Sequence, residues 1–301
     1  MSQAAPPAPL RWGAEDLWLA LEPLLPGLTV EVVASIGSTN TELLSRARQS
    51  PVDGAKPALL VAEQQTAGRG RQGKAWQSAT GPAALGASLT FSLALPLAPA
   101  DWSGLSLAVG LALAEALDPP EGASTPRLGL KWPNDLILLD DGGRAAHIGR
   151  KLGGILIETV QLGPQRLAVL GIGLNIQPLP PHNPANPPAE APVLSWGRAC
   201  VQELQPGLDA PATLARVLPP LVRAMHAFEA QGFAPLQAAF ARRDVLAGRT
   251  VATTLPALPQ GRADGVDATG TLWLHTGSGR HPVSSGEVGL KPLPTPAGAP
   301  C

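Results

Sequence analysis

Apolar residues recur at helical spacing in five parts of the chain. In residues 14–25 the positions Leu17, Leu21 and Leu24 lie three or four residues apart and a Pro-Gly pair follows, so the pattern predicts a helix that ends there. The same spacing predicts four more helices, over residues 38–49, 103–117, 210–232 and 234–245.

Two of these segments carry a further local signal. Thr39 and Glu42 have the spacing of a capping box, in which a hydroxyl and a carboxylate bond the first backbone N–H groups of a helix. Pro219 and Pro220 lie inside the segment 210–232, and each removes a backbone donor. We expect a capped start for the first helix and a kink or break in the second.

Short apolar runs bounded by Gly, Pro or charged residues predict strands. They occupy residues 29–37, 58–65, 87–95, 127–139, 151–160 and 166–176. Residues 177–193 are too rich in proline to continue a sheet, so they predict a loop. Because the strands follow one another while the helices cluster, the order predicts an α+β fold with a mixed or antiparallel sheet backed by helices.

The pattern of residue types along the sequence changes at Leu246. From there Gly or Pro interrupts short runs of Val, Thr and Leu every several residues, which is typical of a small all-β barrel. A domain boundary is therefore predicted near residue 245. The predicted organisation is a tail and helix, a main domain, a small barrel and a disordered tail, over residues 1–27, 28–245, 246–293 and 294–301.

Composition narrows the class of protein. With 301 residues, 45% of them hydrophobic, the chain can bury a self-sufficient core. A formal net charge of -1 gives no overall basic field, which disfavours a nucleic-acid-binding protein. Cys200 and Cys301 are too few for a disulfide framework. Because the sequence shows neither a secretory signal nor an uninterrupted apolar span of membrane length, a cytoplasmic protein is expected.

One stretch, GRGRQGKAW at 68–76, concentrates positive charge. It holds Arg69, Arg71 and Lys74, and no acidic residue lies between positions 63 and 101. Ordering a Gly-rich loop costs about 1–2 kcal/mol per residue, whereas charge-assisted hydrogen bonds to an anion contribute about 1.5–3 kcal/mol each. We therefore predict a loop that is mobile alone and becomes ordered over a phosphate-bearing ligand. A solvated surface loop is the alternative.

The spacing of this loop matches neither of two common phosphate-binding loops. A P-loop requires G-x-x-x-x-G-K-[ST], which the stretch lacks. GRGRQG formally contains G-x-G-x-x-G, but a dinucleotide-binding turn has small apolar residues between its glycines and an acidic residue about 20 residues later. Arginines stand between the glycines here, so that interpretation is weak.

Three further segments, KWPNDL, KLGGILIE and LGIGLN, place polar residues and glycines in otherwise apolar strands. Lys151 begins a strand so apolar that its ammonium must lie at the strand's end or face a ligand. Glycines remove side chains from a strand and let a ligand approach the backbone, although each also suits a bulge, and Asn-Asp suits a turn. Together they predict a slot lined by backbone. The residues concerned are Lys131, Asn134, Asp135, Lys151, Gly153, Gly154, Gly171, Gly173 and Asn175.

In this order, the motifs STN, GRGRxGxxW, KWPNDL, KLGGILIE and GIGLN resemble those of the biotin protein ligases. The resemblance covers residues 33–176 strongly and 245–292 more loosely, the second part including SGEV at 285–288. It implies a class II synthetase-like catalytic domain with a small C-terminal SH3-like β-barrel. It also implies that family's activity, which is ATP-dependent formation of biotinyl-5′-AMP and transfer of biotin to a lysine of a biotin carboxyl carrier protein.

The resemblance also implies roles for individual residues. Lys151, Arg69 and Arg71 are expected to act where the biotin carboxylate meets the α-phosphate and negative charge gathers. Trp76 is expected to pack on adenine, and Asp135 is the candidate for the metal side, with Mg²⁺ accompanying ATP. The residues implied at the biotin site are Ser38, Thr39, Asn40, Gln65, Gly68, Gly70, Arg71, Lys151, Gly153, Gly154, Gly171 and Gly173. Those implied at the ATP site are Arg69, Arg71, Lys74, Trp76, Lys131, Asn134, Lys151 and Asn175.

Two positions depart from the motif of the family. Gln72 stands where arginine is frequent, and Lys74 replaces another common arginine, so phosphate retention is expected to be modestly weaker. About 30 residues precede the catalytic domain, too few for the winged helix-turn-helix that some members carry. We therefore expect a ligase that binds neither nucleic acid nor membrane. Its oligomeric state is left open, a homodimer included.

Two other functions stay open on sequence. A lipoate- or octanoate-handling ligase of the same fold typically shows adjacent arginines followed by three glycines, a signature absent here. A catalytically inactive biotin-binding module would be expected to have lost Lys151 or the arginines, all of which are present. Exchange between ATP and pyrophosphate, driven by biotin or by lipoate, distinguishes these functions.

Overall fold

The structure is a computed structural model. It describes residues 10–50, 55–76, 84–120, 125–140, 149–178 and 197–283, together with the backbone of 291–292. The chain divides into two compact units. The first comprises Met1–Ala98, Leu152–Pro181 and Ala199–Arg223, and the second comprises Pro99–Lys151, His182–Arg198 and Ala224–Cys301.

Most of the described residues lie in strands and helices. The strands are β1 (Thr29–Ile36), β2 (Ala58–Gln65), β3 (Ser88–Pro96), β4 (Leu128–Lys131), β5 (Asp135–Leu138), β6 (Arg150–Leu162), β7 (Gln165–Asn175), β8 (Thr250–Ala252), β9 (Gln260–Val266), β10 (Leu272–Thr276), β11 (Gly279–Val283) and β12 (Lys291–Pro292). The α-helices are α1 (Ala14–Leu21), α2 (Thr39–Gln49), α3 (Leu105–Leu117), α4 (Val201–Leu204), α5 (Ala210–Gln231) and α6 (Gln237–Ala241). Short 3-10 turns lie at Arg71–Gly73 and Ala234–Leu236.

A mixed sheet forms the centre of the first unit, with the strand order β1-β2-β3-β7-β6. β1 and β2 are parallel, and the other neighbours are antiparallel. β3 is buried along almost its whole length because its sequence, SLTFSLALP, is largely apolar on both faces and lies between two strands. The sheet and its helices confirm the predicted α+β class.

Helix α2 packs on this sheet through Leu43, Leu44 and Ala47. Its N-cap is Ser38, whose hydroxyl accepts a hydrogen bond from Thr41 N at 3.4 Å. The predicted capping box of Thr39 and Glu42 is therefore wrong, because the cap lies one residue earlier and Thr41 stands at the third helical position. Thr39 is already helical, and Glu42 forms an ion pair along the helix surface, where its carboxylate lies 2.7 Å from the Arg46 guanidinium.

In the second unit, the single strand predicted over 127–139 is a hairpin of β4 and β5. Lys131 pairs with Asp135 across a turn that contains a cis Trp132–Pro133 peptide. Proline lacks the N–H that a ladder needs, so the apolar run cannot continue as one strand. The hairpin places the polar residues of KWPNDL at its turn.

Helix α5 runs without interruption through Pro219 and Pro220, so the predicted break is wrong. The fixed φ of proline is compatible with a helix, and burial of one helix face stabilises the segment despite two missing donors. The buried residues are Ala210, Thr213, Leu214, Val217, Leu218, Leu221, Val222, Met225 and Phe228.

The helix predicted over 234–245 is shorter than expected. It consists of a 3-10 turn and α6, and the chain then leaves the helix because Arg243 and Val245 exchange backbone hydrogen bonds with Leu130 of β4. Residues 243–245 thus form a short parallel bridge beside the hairpin. The side chain of Arg243 is buried and bonds Asp118 and the carbonyl of Leu128.

The C-terminal strands form a small antiparallel sheet, with the order β11-β10-β9-β8-β12. This confirms a separate small β structure. Its two edge strands, β11 and β12, do not pair with each other in the described part of the chain, so a closed barrel is not seen there. The predicted SGEV match at 285–288, the proline-rich loop beyond residue 178 and both predicted tails beyond 10–292 lie outside the described residues. Across the described residues, no helix combines the length and the apolar character that spanning a membrane requires.

Candidate active site

Gly154 of KLGG and the two glycines of GIGLN lie on one face of the first unit's sheet. Gly154 of β6 is paired with Gly173 of β7, which is paired in turn with Thr90 of β3. At this level three neighbouring strands carry no side chain larger than threonine, so another group can approach the backbone closely. This bare strip is the part of the sheet where the sequence predicted a slot, and its use by a ligand stays a prediction.

Side chains of this chain take the space above two of the glycines. A Cβ atom on Gly171 would lie 2.3 Å from Asn40 Oδ1, and one on Gly173 would lie 2.4 Å from Trp76 Cε2. The sequence indicated that a ligand would use this space. In the structure these glycines instead admit the Asn40 amide and the Trp76 indole, which lie close to the backbone.

Gly153 has a different surrounding. A Cβ atom there would lie 2.5 Å from the Leu174 side chain and 2.8 Å from the carbonyl of Gly173. Within the structure, therefore, Gly153 permits close packing of β6 on β7. The proposed contact of Gly153 with biotin stays a prediction.

A buried hydrogen-bond network lies at one end of the slot. Gln65 Oε1 accepts from the backbone N–H of Thr39 at 2.8 Å and from its hydroxyl at 3.2 Å. Ser92 Oγ lies 2.6 Å from both Thr39 Oγ1 and Asn40 Oδ1. Because buried polar groups require partners, this network fixes a polar rim beside the slot. Sequence reasoning missed Ser92, since a serine in an apolar strand carries no signal of its own.

The basic loop 68–76 forms a small hairpin with its own hydrogen bonds. Gly70 N donates to Lys74 O at 2.7 Å, and Trp76 N donates to Gly68 O at 2.9 Å. A Cβ atom on Gly68 would lie only 2.5 Å from Trp76 O, so this crossing requires glycine. The N–H of Gly70 is therefore used inside the loop.

The positive charge of this loop is partly compensated, contrary to the expectation from neighbouring sequence. Arg69 Nη1 lies 3.1 Å from Glu158 Oε1, and it also donates to Thr41 Oγ1 at 3.4 Å. Glu158 is 89 positions away in sequence, so a search for acidic residues near the loop could not find it. Arg71 is half-buried in the turn, while Lys74 is exposed.

In the second unit, two lysines share one carboxylate. Lys151 Nζ lies 2.7 Å from Asp135 Oδ1, and Lys131 Nζ lies 3.5 Å from Asp135 Oδ2. The hairpin register brings Lys131 and Asp135 together, and β6 begins with Arg150 and Lys151. Lys131 is buried and Lys151 is partly exposed. The three groups carry a net charge of one positive unit, which favours an anionic ligand.

This arrangement does not fit Asp135 as the ligand of a protein-bound metal ion. Both carboxylate oxygens face ammonium groups, which repel a divalent cation. Among the described residues, no group of three or more His, Cys, Asp or Glu side chains lies close enough to hold a metal ion. A metal at this site would have to arrive with its own anionic ligands.

The two predicted asparagines hold the backbone in place. Asn134 N donates to Lys131 O at 3.1 Å and closes the hairpin turn. Asn175, at the end of β7, is buried, and its amide donates to Ala199 O at 3.0 Å. In addition to any contact with a nucleotide, both residues therefore have a structural function.

Each unit contributes a distinct chemical capacity. The first offers a strip of backbone without large side chains, beside a polar hydrogen-bond network and a basic hairpin. The second offers two ammonium groups able to stabilise charge on a carboxylate or a phosphate. Ser92 and Glu158 are the site residues that sequence reasoning did not identify.

Comparison with known proteins agrees with this chemistry. A model of the Biotin/lipoate A/B protein ligase family matches residues 32–175. The bifunctional ligase/repressor BirA of Escherichia coli (strain K12) is 32% identical over 89% of this chain and 75% of that protein. The biotin–[acetyl-CoA-carboxylase] ligase of Paracoccus denitrificans is 33% identical over 85% of this chain and 98% of that protein.

The fold is also that of solved biotin protein ligases. The structure of the Aquifex aeolicus biotin protein ligase in complex with biotin and ATP superposes with a TM-score of 0.61 at 22% identity, covering 88% of this chain and 99% of that one. The architecture is therefore that of a biotin ligase catalytic domain with a small C-terminal β domain. The chain belongs to the Biotin/lipoate A/B protein ligase family, and within it to the biotin protein ligases.

Proposed function

We propose that this protein is an ATP-dependent biotin protein ligase that activates biotin and attaches it to a lysine of a biotin carboxyl carrier protein. The observation that carries the proposal is the convergence of Lys131 and Lys151 on Asp135, which concentrates positive charge on the KWPND and KLGG motifs. The name of the Paracoccus denitrificans relative supports biotin as the acid, in preference to lipoate.

Two half-reactions make up the proposed activity. In the first, a biotin carboxylate oxygen attacks the α-phosphorus of ATP, the bond to the β-phosphate oxygen breaks, and pyrophosphate leaves. In the second, the acceptor lysine amine attacks the acyl carbon of biotinyl-5′-AMP, an amide forms, the amine loses a proton, and AMP leaves. Because two anions meet in the first step, fixed cations lower its barrier.

The charged residues take the following proposed roles. Lys151 contacts both the biotin carboxylate and the α-phosphate, and Lys131 supplies a second ammonium near it. Arg69 and Arg71 hold phosphate from the basic loop, with Lys74 as a weaker contributor because a lysine lacks the planar fork of arginine. Charge-assisted hydrogen bonds of this kind are short and directional, so they orient the reacting groups.

Neutral residues are proposed to hold the rest of each substrate. The ureido ring of biotin has N–H and C=O groups that require partners in an apolar pocket, and Ser38, Thr39 and Gln65 are the residues proposed to provide them. Asn40 and the glycines of the strip complete the proposed biotin site. Trp76 packs on adenine, with Asn134 and Asn175 near the nucleotide.

We propose that Mg²⁺ enters as part of the ATP complex. The pairing of Asp135 with two lysines argues against a resident metal, so no step is assigned to one. The remaining expectations stand as proposals too: a cytoplasmic location, no nucleic-acid partner, a homodimer as one candidate state, and residues 28–245 and 246–293 as the functional domains.

Mass spectrometry tests the proposal directly. A purified biotin carboxyl carrier domain is incubated with this protein, ATP and biotin, and in parallel with lipoate in place of biotin. We expect the carrier to gain the mass of one biotinyl group in the first reaction and no mass in the second. Lipoylation, or biotin-dependent binding without pyrophosphate release, would contradict the proposal.

A further inference from the structure

Glu158 lies at the meeting point of two parts of the biotin-ligase machinery. Its Oε1 atom is 3.1 Å from Arg69 Nη1, and its Oε2 atom is 3.3 Å from the same nitrogen. Oε2 also accepts a hydrogen bond from Asn40 Nδ2 at 3.1 Å. One carboxylate on β6 therefore contacts both the basic loop and the start of α2.

The position of Glu158 is set by the sheet. It lies on the same face of β6 as Leu156, whose carbonyl accepts a second hydrogen bond from Asn40 Nδ2 at 3.1 Å. Gly171, on the neighbouring strand, leaves room for the Asn40 side chain. With Asn40 buried and its amide fixed, the carboxylate of Glu158 is held in one orientation towards the loop.

All described side-chain hydrogen bonds and ion pairs of Arg69 involve the Nη1 atom. Glu158 and Thr41 both bond this nitrogen, and the side chain of Arg69 is 49% exposed. The Nε and Nη2 edge of the guanidinium is therefore available to bind a phosphate, while the opposite corner is fixed. A guanidinium held in this way loses less rotamer entropy when it binds an anion.

Stability is a poor explanation for this ion pair. Exposed pairs contribute little to folding because water screens the charges and the long side chains lose entropy. The Arg46–Glu31 pair on the same unit is of that kind, with both side chains more than 40% exposed. The Arg69–Glu158 pair is likewise exposed on its arginine side, at 49%, but its carboxylate is also held by the buried Asn40 amide, which fixes its direction.

We propose that Glu158 is a positioning residue for Arg69, and that it orients the guanidinium to bind the phosphates of ATP during adenylate formation. The proposal rests on the proposed biotin ligase function. Glu158 touches no substrate in this scheme and acts through Arg69. Replacing Glu158 should therefore change the KM for ATP, and it should have little effect on that KM in a protein that lacks the Arg69 side chain.

The test uses six forms of the full chain: wild type, Glu158→Gln, Glu158→Asp, Arg69→Ala, the double variant of Glu158→Gln with Arg69→Ala, and Glu31→Gln. Glutamine keeps an oxygen that accepts from Asn40 but removes the charge facing Arg69. Glu31→Gln removes the charge from the Arg46 pair and is the matched control. Biotin-dependent pyrophosphate release gives kcat and the KM for ATP and for biotin, and thermal unfolding gives Tm.

We expect Glu158→Gln to raise the KM for ATP about 3- to 10-fold, the range for weakening one charge-assisted contact. The KM for biotin and the Tm should match those of Glu31→Gln. In the Arg69→Ala background, Glu158→Gln should change the KM for ATP less than about 2-fold, because coupled residues are not additive. A Glu158→Asp variant should recover part of the loss.

Three results would overturn the inference. The first is equal effects of Glu158→Gln with and without Arg69, which indicate a purely structural residue. The second is tighter ATP binding in Glu158→Gln, which would make Glu158 a resting counter-ion that ATP displaces. The third is no change beyond that of Glu31→Gln. If instead the wild type releases no pyrophosphate with biotin, the proposed function fails, and that outcome is separate from the other three.

Discussion

Lys151 and Lys131 share the carboxylate of Asp135, and this sharing determines what each can do. An ammonium held at 2.7 Å from a carboxylate is oriented before a substrate binds. The same carboxylate reduces the field that an incoming phosphate meets, so the phosphate must compete with Asp135 for the lysine. Two anionic groups bound together, such as the biotin carboxylate and the phosphates of ATP, compete with Asp135 for the lysine better than either group alone.

Replacing Lys151 tests its proposed contact with the reacting atoms. We expect Lys151→Ala to slow biotinyl-5′-AMP formation about 100- to 1000-fold, because a fixed charge at the developing anion is removed. The Tm should change little, since the lysine side chain is partly exposed. Single-turnover pyrophosphate release measures the rate, with the exposed Lys56→Ala as the control. Near-normal turnover in Lys151→Ala would exclude the assigned role.

Gly173 allows a test of the packing of Trp76. An alanine there would place Cβ 2.4 Å from Trp76 Cε2, so the indole must move. We expect Gly173→Ala to weaken ATP binding about tenfold and to shift the tryptophan emission, by removing the stacking surface. Gly277→Ala, where a Cβ meets nothing within 4 Å, is the control. Unchanged ATP affinity in Gly173→Ala would argue against the stacking role of Trp76.

At the scale of elements, the segment 243–245 shows how a short stretch is fixed by its neighbour. It forms a parallel bridge with β4, and Asp244 Oδ1 accepts from Leu246 N at 2.9 Å. Asp244 Oδ2 is shielded from solvent and has no hydrogen-bond partner among the described residues. Burial therefore raises the pKa of Asp244 from its ordinary value of 3.8 to about 6.

The raised pKa of Asp244 gives a pH dependence with a definite sign. Because the unfolded chain ionises this carboxyl at lower pH than the folded one, its charge destabilises the fold fully above about pH 6, and the penalty disappears as the pH falls towards 4. We expect Asp244→Asn to raise the free energy of unfolding by about 1–2 kcal/mol at pH 8 and to have no effect near pH 4.

Urea denaturation at pH 8, 6 and 4 measures this difference. Asp264→Asn, which removes an exposed carboxylate paired with Arg280, is the control and should show little pH dependence. A destabilised Asp244→Asn protein at pH 8 would show that the ionised carboxylate is stabilised by contacts other than the one to Leu246.

The sequence predicted the positions of helices and strands better than the turns, breaks and bridges between them. Apolar periodicity placed β2 and α3 closely, because their burial follows directly from their residues. It missed the turn inside 127–139, the continuous α5 and the bridge at 243–245. Each of these depends on contacts with distant residues, which a local pattern does not contain.

The residues of the candidate site also fall into two groups, those that sequence motifs predicted and those that only contacts in the structure reveal. Residues in motifs, such as Lys151 and the glycines, were predicted because their chemistry is unusual for a strand. Glu158 was missed because its significance lies in a contact with Arg69, and Ser92 because its significance lies in a contact with Asn40. The roles of all these residues stay predictions until the variants are measured.

On the scale of the whole molecule, the small C-terminal sheet has a structural connection to the second unit's lysine cluster. Trp132, in the turn between Lys131 and Asp135, is buried, and its Nε1 donates to Gly270 O at 3.0 Å. Gly270 lies against Gly104 and Leu107, since a Cβ atom there would approach both within 3.0 Å. The β9–β10 connection therefore braces the hairpin that carries two of the three charged groups.

Removing the Trp132 bond tests this bracing. We expect Trp132→Phe to lower the free energy of unfolding by about 1–3 kcal/mol, because a buried carbonyl loses its donor. The rate of adenylate formation should also fall, since the turn carries Lys131 and Asp135. Trp18→Phe loses a bond of the same length, to Leu28 O, at a site where the tryptophan is 41% exposed, and should have a smaller effect. An equal loss of unfolding free energy in Trp132→Phe and Trp18→Phe would contradict the proposal that the Trp132 bond holds the hairpin in place.

The contact between Trp132 and Gly270 joins residues 138 positions apart. During translation, the N-terminal part of a chain leaves the ribosome while later residues are still being added. The hairpin with Lys131 and Asp135 therefore emerges from the ribosome long before its brace exists. Nascent chains stalled ahead of residue 270 should leave this turn open to proteases, and chains released after that point should protect it.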